Sequence, residues 1–226
     1  MVMKKVFWII LCMFFIPLVT FAGNMKLHYD RPAEYFEEAL VIGNGTMGAT
    51  LYGGVKKDKI SFNDITLWTG EPESENSSPD AFNVIPEIRA LLDNEDYEGA
   101  DKAQYKVQGH YSENYQPLGT LTIEYLDDTA GISDYHRWLD IGNATARTQY
   151  LKDGKLFTSD YFASAPDSVI VIRLKSENKE GIHALLSFDS PLPHSSQVAD
   201  NEISVEGYAA YHSFPVYYKA EDKHRY

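Results

Sequence analysis

Residues 119–125 alternate strictly, with Leu121, Ile123 and Tyr125 on one side and Thr120, Thr122 and Glu124 on the other. A period of two is the mark of a half-buried strand. Residues 182–189 repeat it, with Ile182, Ala184, Leu186 and Phe188 on one face. Residues 59–63 set Ile60 and Phe62 to one side, and 49–55 form a short apolar run closed by Gly53-Gly54. Residues 144–151 and 156–163 flank Lys152-Asp153-Gly154-Lys155. An Asp-Gly pair accepts the positive φ of a tight hairpin turn, so these two runs predict a hairpin. Residues 168–175 are rich in β-branched side chains and predict a buried strand, and 202–206 is a further short β-rich piece.

One stretch breaks the pattern. Ile85, Ile88, Leu91 and Leu92 fall at helical spacing, with Pro86 near the start, and Tyr97, Ala100 and Gln104 continue to Val107. Two short helices between 83 and 107, broken near Asp93-Asn94, are predicted as an insertion between strands. Residues 68–80 carry Gly70, Pro72, Ser77, Ser78 and Pro79 and read as a loop. The result is an all-β chain, an antiparallel β-sandwich with a short two-helix insertion. Strand and helix do not alternate as a parallel α/β sheet requires, and no glycine fingerprint joins a strand to a helix.

Composition narrows the partners. The chain has 226 residues, 44% of them hydrophobic, with 33 acidic and 20 basic side chains and a formal charge of -13. That excess repels phosphate backbones and anionic lipid, so neither nucleic acid nor a membrane surface is an expected partner. Neutral sugars, which need stacking faces and hydrogen bonds, remain compatible. At the amino terminus Lys4 and Lys5 precede an apolar run over 6–19, and Thr20-Phe21-Ala22 places small residues before Gly23. This pattern predicts a signal peptide over 1–22 and a mature chain of 23–226, exported to the periplasm or the medium. The alternative, a membrane anchor, is disfavoured because a spanning helix needs ~20 apolar residues. Cys12 lies inside this run, so cleavage leaves no disulfide, thiol nucleophile or cysteine-ligated zinc.

Two motifs carry candidate chemistry. In residues 38–49, three glycines, Gly43, Gly45 and Gly48, lie between two apolar runs, and Gly43 and Gly45 flank Asn44 where the backbone can reverse. The motif reads either as a structural turn entering a strand or as a loop whose amides touch a ligand. In residues 60–72 a strand runs into Asn63-Asp64, Thr66 and Trp68, then a glycine- and proline-marked loop. Asn63, Asp64 and Thr66 can cap a turn, and Trp68 can plug the sandwich edge. The functional reading makes Asn63, Asp64 and Trp68 substrate-binding residues on a sugar-facing or domain-facing edge.

Several segments in order resemble glycoside hydrolase family 95. They are Leu27-His28-Tyr29-Asp30-Arg31-Pro32-Ala33, the 38–49 motif, Phe62-Asn63-Asp64-Ile65-Thr66-Leu67-Trp68-Thr69-Gly70, Tyr115-Gln116-Pro117-Leu118-Gly119 and Tyr135-His136-Arg137-Trp138-Leu139-Asp140. Val41 stands where that family often has proline, and the acidic run before Leu67-Trp68 is shortened. The resemblance implies a super-sandwich domain that precedes an (α/α)6 barrel in the same enzyme. It also implies inverting removal of α-L-fucose, or α-L-galactose in some members, from fucosylated glycans, without metal or organic cofactor. A barrel glutamate would be the acid, and a barrel asparagine polarised by an aspartate would position the water. With two short helices the chain is expected to stop before that barrel, so no catalytic residue is assigned to it and inactivity alone is expected.

Within the chain, no spacing selects a working pair among the 33 carboxylates, and the seven histidines show no metal-ligand spacing. Sequons at Asn44, Asn76 and Asn143 matter only in a eukaryotic secretory pathway. A second reading is a free-standing carbohydrate-binding or scaffold module. It rests on 16 tyrosines, 11 phenylalanines and 3 tryptophans, most of which the strands should carry into the core.

Overall fold

The computed structural model describes residues 25–72, 78–109, 111–219 and 221–226. The expected signal peptide over 1–22, Cys12 and the sequon at Asn76 lie outside the described residues. In chain order the strands are β1 (Lys26–Tyr29), β2 (Leu40–Gly43), β3 (Met47–Leu51), β4 (Lys57–Asp64), β5 (Gly119–Tyr125), β6 (Ile132–Asp140), β7 (Thr145–Lys152), β8 (Lys155–Ser164), β9 (Val169–Ser176), β10 (Ala184–Asp189), β11 (His194–Ala199), β12 (Glu202–Gly207), β13 (His212–Ser213) and β14 (His224–Arg225). Helices α1 (Ala81–Asp93) and α2 (Tyr97–Gln104) stand between β4 and β5.

Two five-stranded antiparallel sheets pack face to face, ordered β1-β6-β7-β8-β9 (the first sheet) and β10-β5-β4-β3-β2 (the second). Between them lie Leu40, Ile42, Leu51, Ile60, Ile123, Tyr150, Phe157 and Tyr161. The alternation at Leu121, Ile123 and Tyr125 therefore does face the core, as a period of two requires. The β7–β8 hairpin turns on Asp153 and Gly154, with φ of 50° and 74°. Two positive φ values in a two-residue loop match the twist of the flanking strands, which explains the Asp-Gly pair.

Polar contacts clamp the layers. Arg137 on β6 points inward and is 1% exposed. Its guanidinium donates to the carbonyls of Arg31 and Glu38 at 2.7 and 2.8 Å and lies 4.2 Å from the Tyr29 ring centroid. The Tyr135 hydroxyl donates to the Gly53 carbonyl at 2.6 Å.

Three expectations need correction. The 168–175 run falls on β9, which pairs only with β8 and is half-exposed at the sheet edge, not buried. On β10, at the edge of the second sheet, Leu186 shares a face with Ile123 but is 47% exposed. Among the described residues, most aromatic side chains are not in the core. Tyr125, Tyr150, Phe157 and Tyr161 are buried there, while Tyr97, Tyr105, Tyr111, Tyr115, Tyr208 and Tyr217 are exposed, because they sit on the helices and connecting segments outside the sheets.

Candidate functional site

β4 ends at Asp64, and the chain then forms an edge where three segments meet. The 65–72 loop is tied to the 111–118 strap by the Thr69 N–H on Asn114 O (2.8 Å) and the Gln116 N–H on Leu67 O (2.9 Å). It is tied to the carboxyl-terminal segment by the Gly70 N–H on Tyr211 O at 2.9 Å. The buried Gln116 amide imitates a strand partner, donating to Ala210 O at 3.0 Å and accepting the Ala210 N–H at 2.9 Å. These bonds hold the edge rigid in place of a regular ladder.

The residues singled out in the sequence separate into different roles. Trp68 is 53% exposed and meets Tyr115 edge-on, with ring centroids 6.2 Å apart, so it does not plug the core. Asn63 faces out from the second sheet into a groove of about 540 Å³ that Tyr115 also lines, together with Phe36, Val41, Thr50 and Pro117. On that floor the Asn63 Oδ1 and Thr50 Oγ1 have no hydrogen-bond partner among the described residues. Asp64 is committed locally. Its Oδ1 accepts from the Thr66 N–H at 2.8 Å and from the Thr66 hydroxyl, and these two bonds hold its carboxyl below the usual range. The edge thus brings Asn63 and Tyr115 into one groove, joins Trp68 to them through Tyr115, and leaves Asp64 as the cap of the turn.

The Asn44 motif takes its structural reading. Asn44 Oδ1 accepts from the Thr46 and Met47 N–H groups at 3.0 and 2.8 Å, and its amide donates to Ser164 O on the opposite sheet at 2.9 Å. Gly45 supplies the positive φ of this turn at 97°.

Sequence reasoning passed over Glu113, which lies behind Trp68. It accepts from the Thr69 hydroxyl, and His212 Nδ1 stands 2.9 Å from its other oxygen. Burial pushes this carboxyl up, but the bonds to Thr69 and His212 and the nearby imidazole charge outweigh it and leave it lowered. No spacing signal could have found this group, since its partners lie 44 and 99 residues away.

Among the described residues there is no group of three or more His, Cys, Asp or Glu side chains placed to hold a metal ion. No helix of the described residues is long and apolar enough to cross a membrane.

The two-sheet sandwich thus carries, at one edge, the exposed Trp68–Tyr115 pair beside the Asn63 groove. Residues 27–224 match the family model described as "Glycosyl hydrolase family 65, N-terminal domain", and the chain belongs to that family. It is 32% identical over 187 residues to Alpha-L-fucosidase 2 of Arabidopsis thaliana, covering 81% of this chain and 22% of that protein. It is 30% identical over 169 residues to Probable alpha-fucosidase A of Aspergillus niger, covering 70% of this chain and 21% of that protein. The match to Probable alpha-fucosidase A of Aspergillus oryzae is 27% over 145 residues, covering 62% and 20%. The chain therefore spans about a fifth of the length of these relatives. These findings agree with the resemblance carried by the motifs, an amino-terminal domain of a fucosidase-type glycoside hydrolase.

Proposed function

We propose that this chain is the amino-terminal sandwich of an exported α-L-fucosidase, inactive alone, which works with an (α/α)6 catalytic barrel in the same polypeptide. The observation that carries this reading is the 32% identity to a protein named Alpha-L-fucosidase 2 across 81% of the chain. Fucosylated glycans are the substrates. The Asn63–Tyr115 groove and Trp68 form the edge that meets the sugar or the barrel mouth, with Asp64 holding the turn that presents Trp68. The outward placement of Trp68, on a loop fixed by backbone bonds, supports this role. Export begins with removal of residues 1–22.

The test compares the 226-residue chain with a longer polypeptide that includes the downstream reading frame. Hydrolysis of a fucosyl substrate by the longer form and none by the chain alone is the expected result. Turnover by the chain alone would overturn the division of labour. A second reading, a carbohydrate-binding module, is favoured by the exposed Trp68–Tyr115 pair. It requires the isolated chain to bind fucosylated oligosaccharide, which titration decides.

A further inference from the structure

The outer face of the first sheet carries three in-register rows. One spans all five strands as His28–Trp138–Arg147–Asp160–Arg173. Beside it runs Lys26–Asp140–Thr145–Phe162–Val171, and on the other side His136–Gln149–Thr158–Lys175. Together these rows hold four Lys or Arg side chains against two carboxylates, on a chain whose formal charge is -13. On these rows the cations outnumber the carboxylates, with Lys26 paired to Asp140 at 3.6 Å.

The arrangement is built as well as charged. Asp160 binds Arg147 through one oxygen and Arg173 through the other, at 2.8 Å for the latter. One carboxylate so fixes two guanidinium groups. The Arg147 Nε is used in this contact, while its two Nη groups make no hydrogen bond among the described residues. Lys26 and Arg147 lie 5.8 and 5.7 Å from the Trp138 ring centroid. A groove of about 610 Å³ runs over this face, lined by Trp138, Phe162 and Val171, by the cations Lys26, Arg147 and Arg173 and by their carboxylate partners Asp140 and Asp160.

We propose that this groove binds carboxylate-bearing glycan segments, that is, uronate sugars. A uronate presents apolar C–H faces, hydroxyls and one planar carboxylate. The groove offers an apolar floor, the Thr145 hydroxyl and a guanidinium fork whose geometry matches a carboxylate. A neutral sugar brings the cations no counter-charge, and an acidic peptide makes no use of the floor. The choice of a glycan rests on the carbohydrate-directed reading above, while the choice of an acidic one rests on this face alone.

The experiment uses the full chain, labelled with nitrogen-15, and follows the indole N–H resonances of Trp68 and Trp138. Trigalacturonate is titrated against neutral galactotriose and a hexa-aspartate peptide. Trigalacturonate should shift Trp138 and leave Trp68 in place, with affinity falling about fivefold between low and near-physiological salt. Arg147→Gln should weaken binding about fivefold at unchanged Tm, and Arg173→Gln, at a more exposed side chain, serves if the first variant unfolds. An equal response to galactotriose, tighter binding of hexa-aspartate, or a silent Trp138 would each overturn the proposal. Fucoside hydrolysis by the longer polypeptide is measured separately, so failure of either reading is seen without the other.

Discussion

The Tyr161 hydroxyl donates to Asp58 Oδ2 at 2.8 Å, joining β8 of one sheet to β4 of the other through the middle of the sandwich. Both side chains are 1% exposed, and the second Asp58 oxygen accepts the Gly54 N–H at 2.9 Å. A carboxylate in an apolar core is costly unless it is hydrogen-bonded, and these two donors give each oxygen a partner. Tyr161→Phe removes one donor and keeps the ring. It should cost about 1–3 kcal/mol in chemical denaturation, and a loss near zero would show that the bond does not fasten the sheets.

The same group makes stability depend on pH. Burial raises the Asp58 carboxyl above its ordinary range, against the hydrogen bonds from Gly54 and Tyr161 that lower it. Between the ordinary value near about 3.9 and the raised folded value, the folded protein holds a proton that the unfolded chain has released. Stability from this group therefore falls as pH rises through that window, and the penalty is absent below it. Asp58→Asn keeps an acceptor for the Gly54 N–H and removes the charge. Its stability should decline less across the window than that of the parent protein. Parallel slopes for the two would sink the assignment.

Arg137 has no carboxylate partner among the described residues; two carbonyls and the Tyr29 ring receive its guanidinium. Replacement of a buried charge by an apolar residue is sometimes neutral. Here Arg137→Met would leave the Arg31 and Glu38 carbonyls without their donor and free the 31–38 segment that leads into β2. The second effect should win, with a loss of about 2–4 kcal/mol. Arg137→Lys retains charge but not the fork and should recover only part of it. Urea midpoints of the two variants, compared at constant m-value, decide this, and a methionine variant as stable as the parent would refute it.

Arg137 also marks the limit of what periodicity can reveal. The β7–β8 hairpin, β5 and the helical insertion were legible because their turn chemistry and spacing are local. The β6 strand was not, since an inward arginine between outward His136 and Trp138 erases the apolar alternation. The polar strand β11 was missed for a related reason, as five of its six residues are exposed and it pairs only with β12. At the candidate site, Trp68 was found through its motif. Its contact with Tyr115 and the unpartnered Asn63 carbonyl are products of tertiary approach, which no local pattern encodes.

Glu113 ties Thr69 to His212, so it joins the loop behind Trp68 to the carboxyl-terminal segment. Glu113→Gln keeps an acceptor for Thr69 and loses the charge facing His212. A partly buried charged contact of this kind is worth about 1 kcal/mol. The expected outcome is faster amide exchange at Gly70 and Ala210, whose bonds hold those segments together, with the sandwich core unchanged. Because the folded carboxyl is lowered, its contribution is present above the ordinary glutamate range and lost as pH falls through the folded value. Exchange at these two amides should therefore approach that of the variant in acid, after correction for intrinsic rates. A parent–variant gap that persists there would assign the protection to the backbone bonds alone.

Trp68→Ala separates a structural role from a functional one. The side chain is 53% exposed and its aromatic contact is with the half-exposed Tyr115. Truncation removes little buried area, so the Tm of the chain should move by no more than a few degrees, the response to about 1 kcal/mol in a domain of this size. An anchor that becomes buried against sugar or barrel behaves differently, since truncation of such a residue costs on the order of 2–4 kcal/mol of binding. In the longer polypeptide, a rise in KM at constant kcat would place Trp68 against the ground-state sugar. A normal KM together with easier separation of the sandwich, seen as a second unfolding transition, would place it at a domain interface. If kinetics and interdomain stability both match the parent protein, the outward tryptophan has no role at this edge beyond its contact with Tyr115.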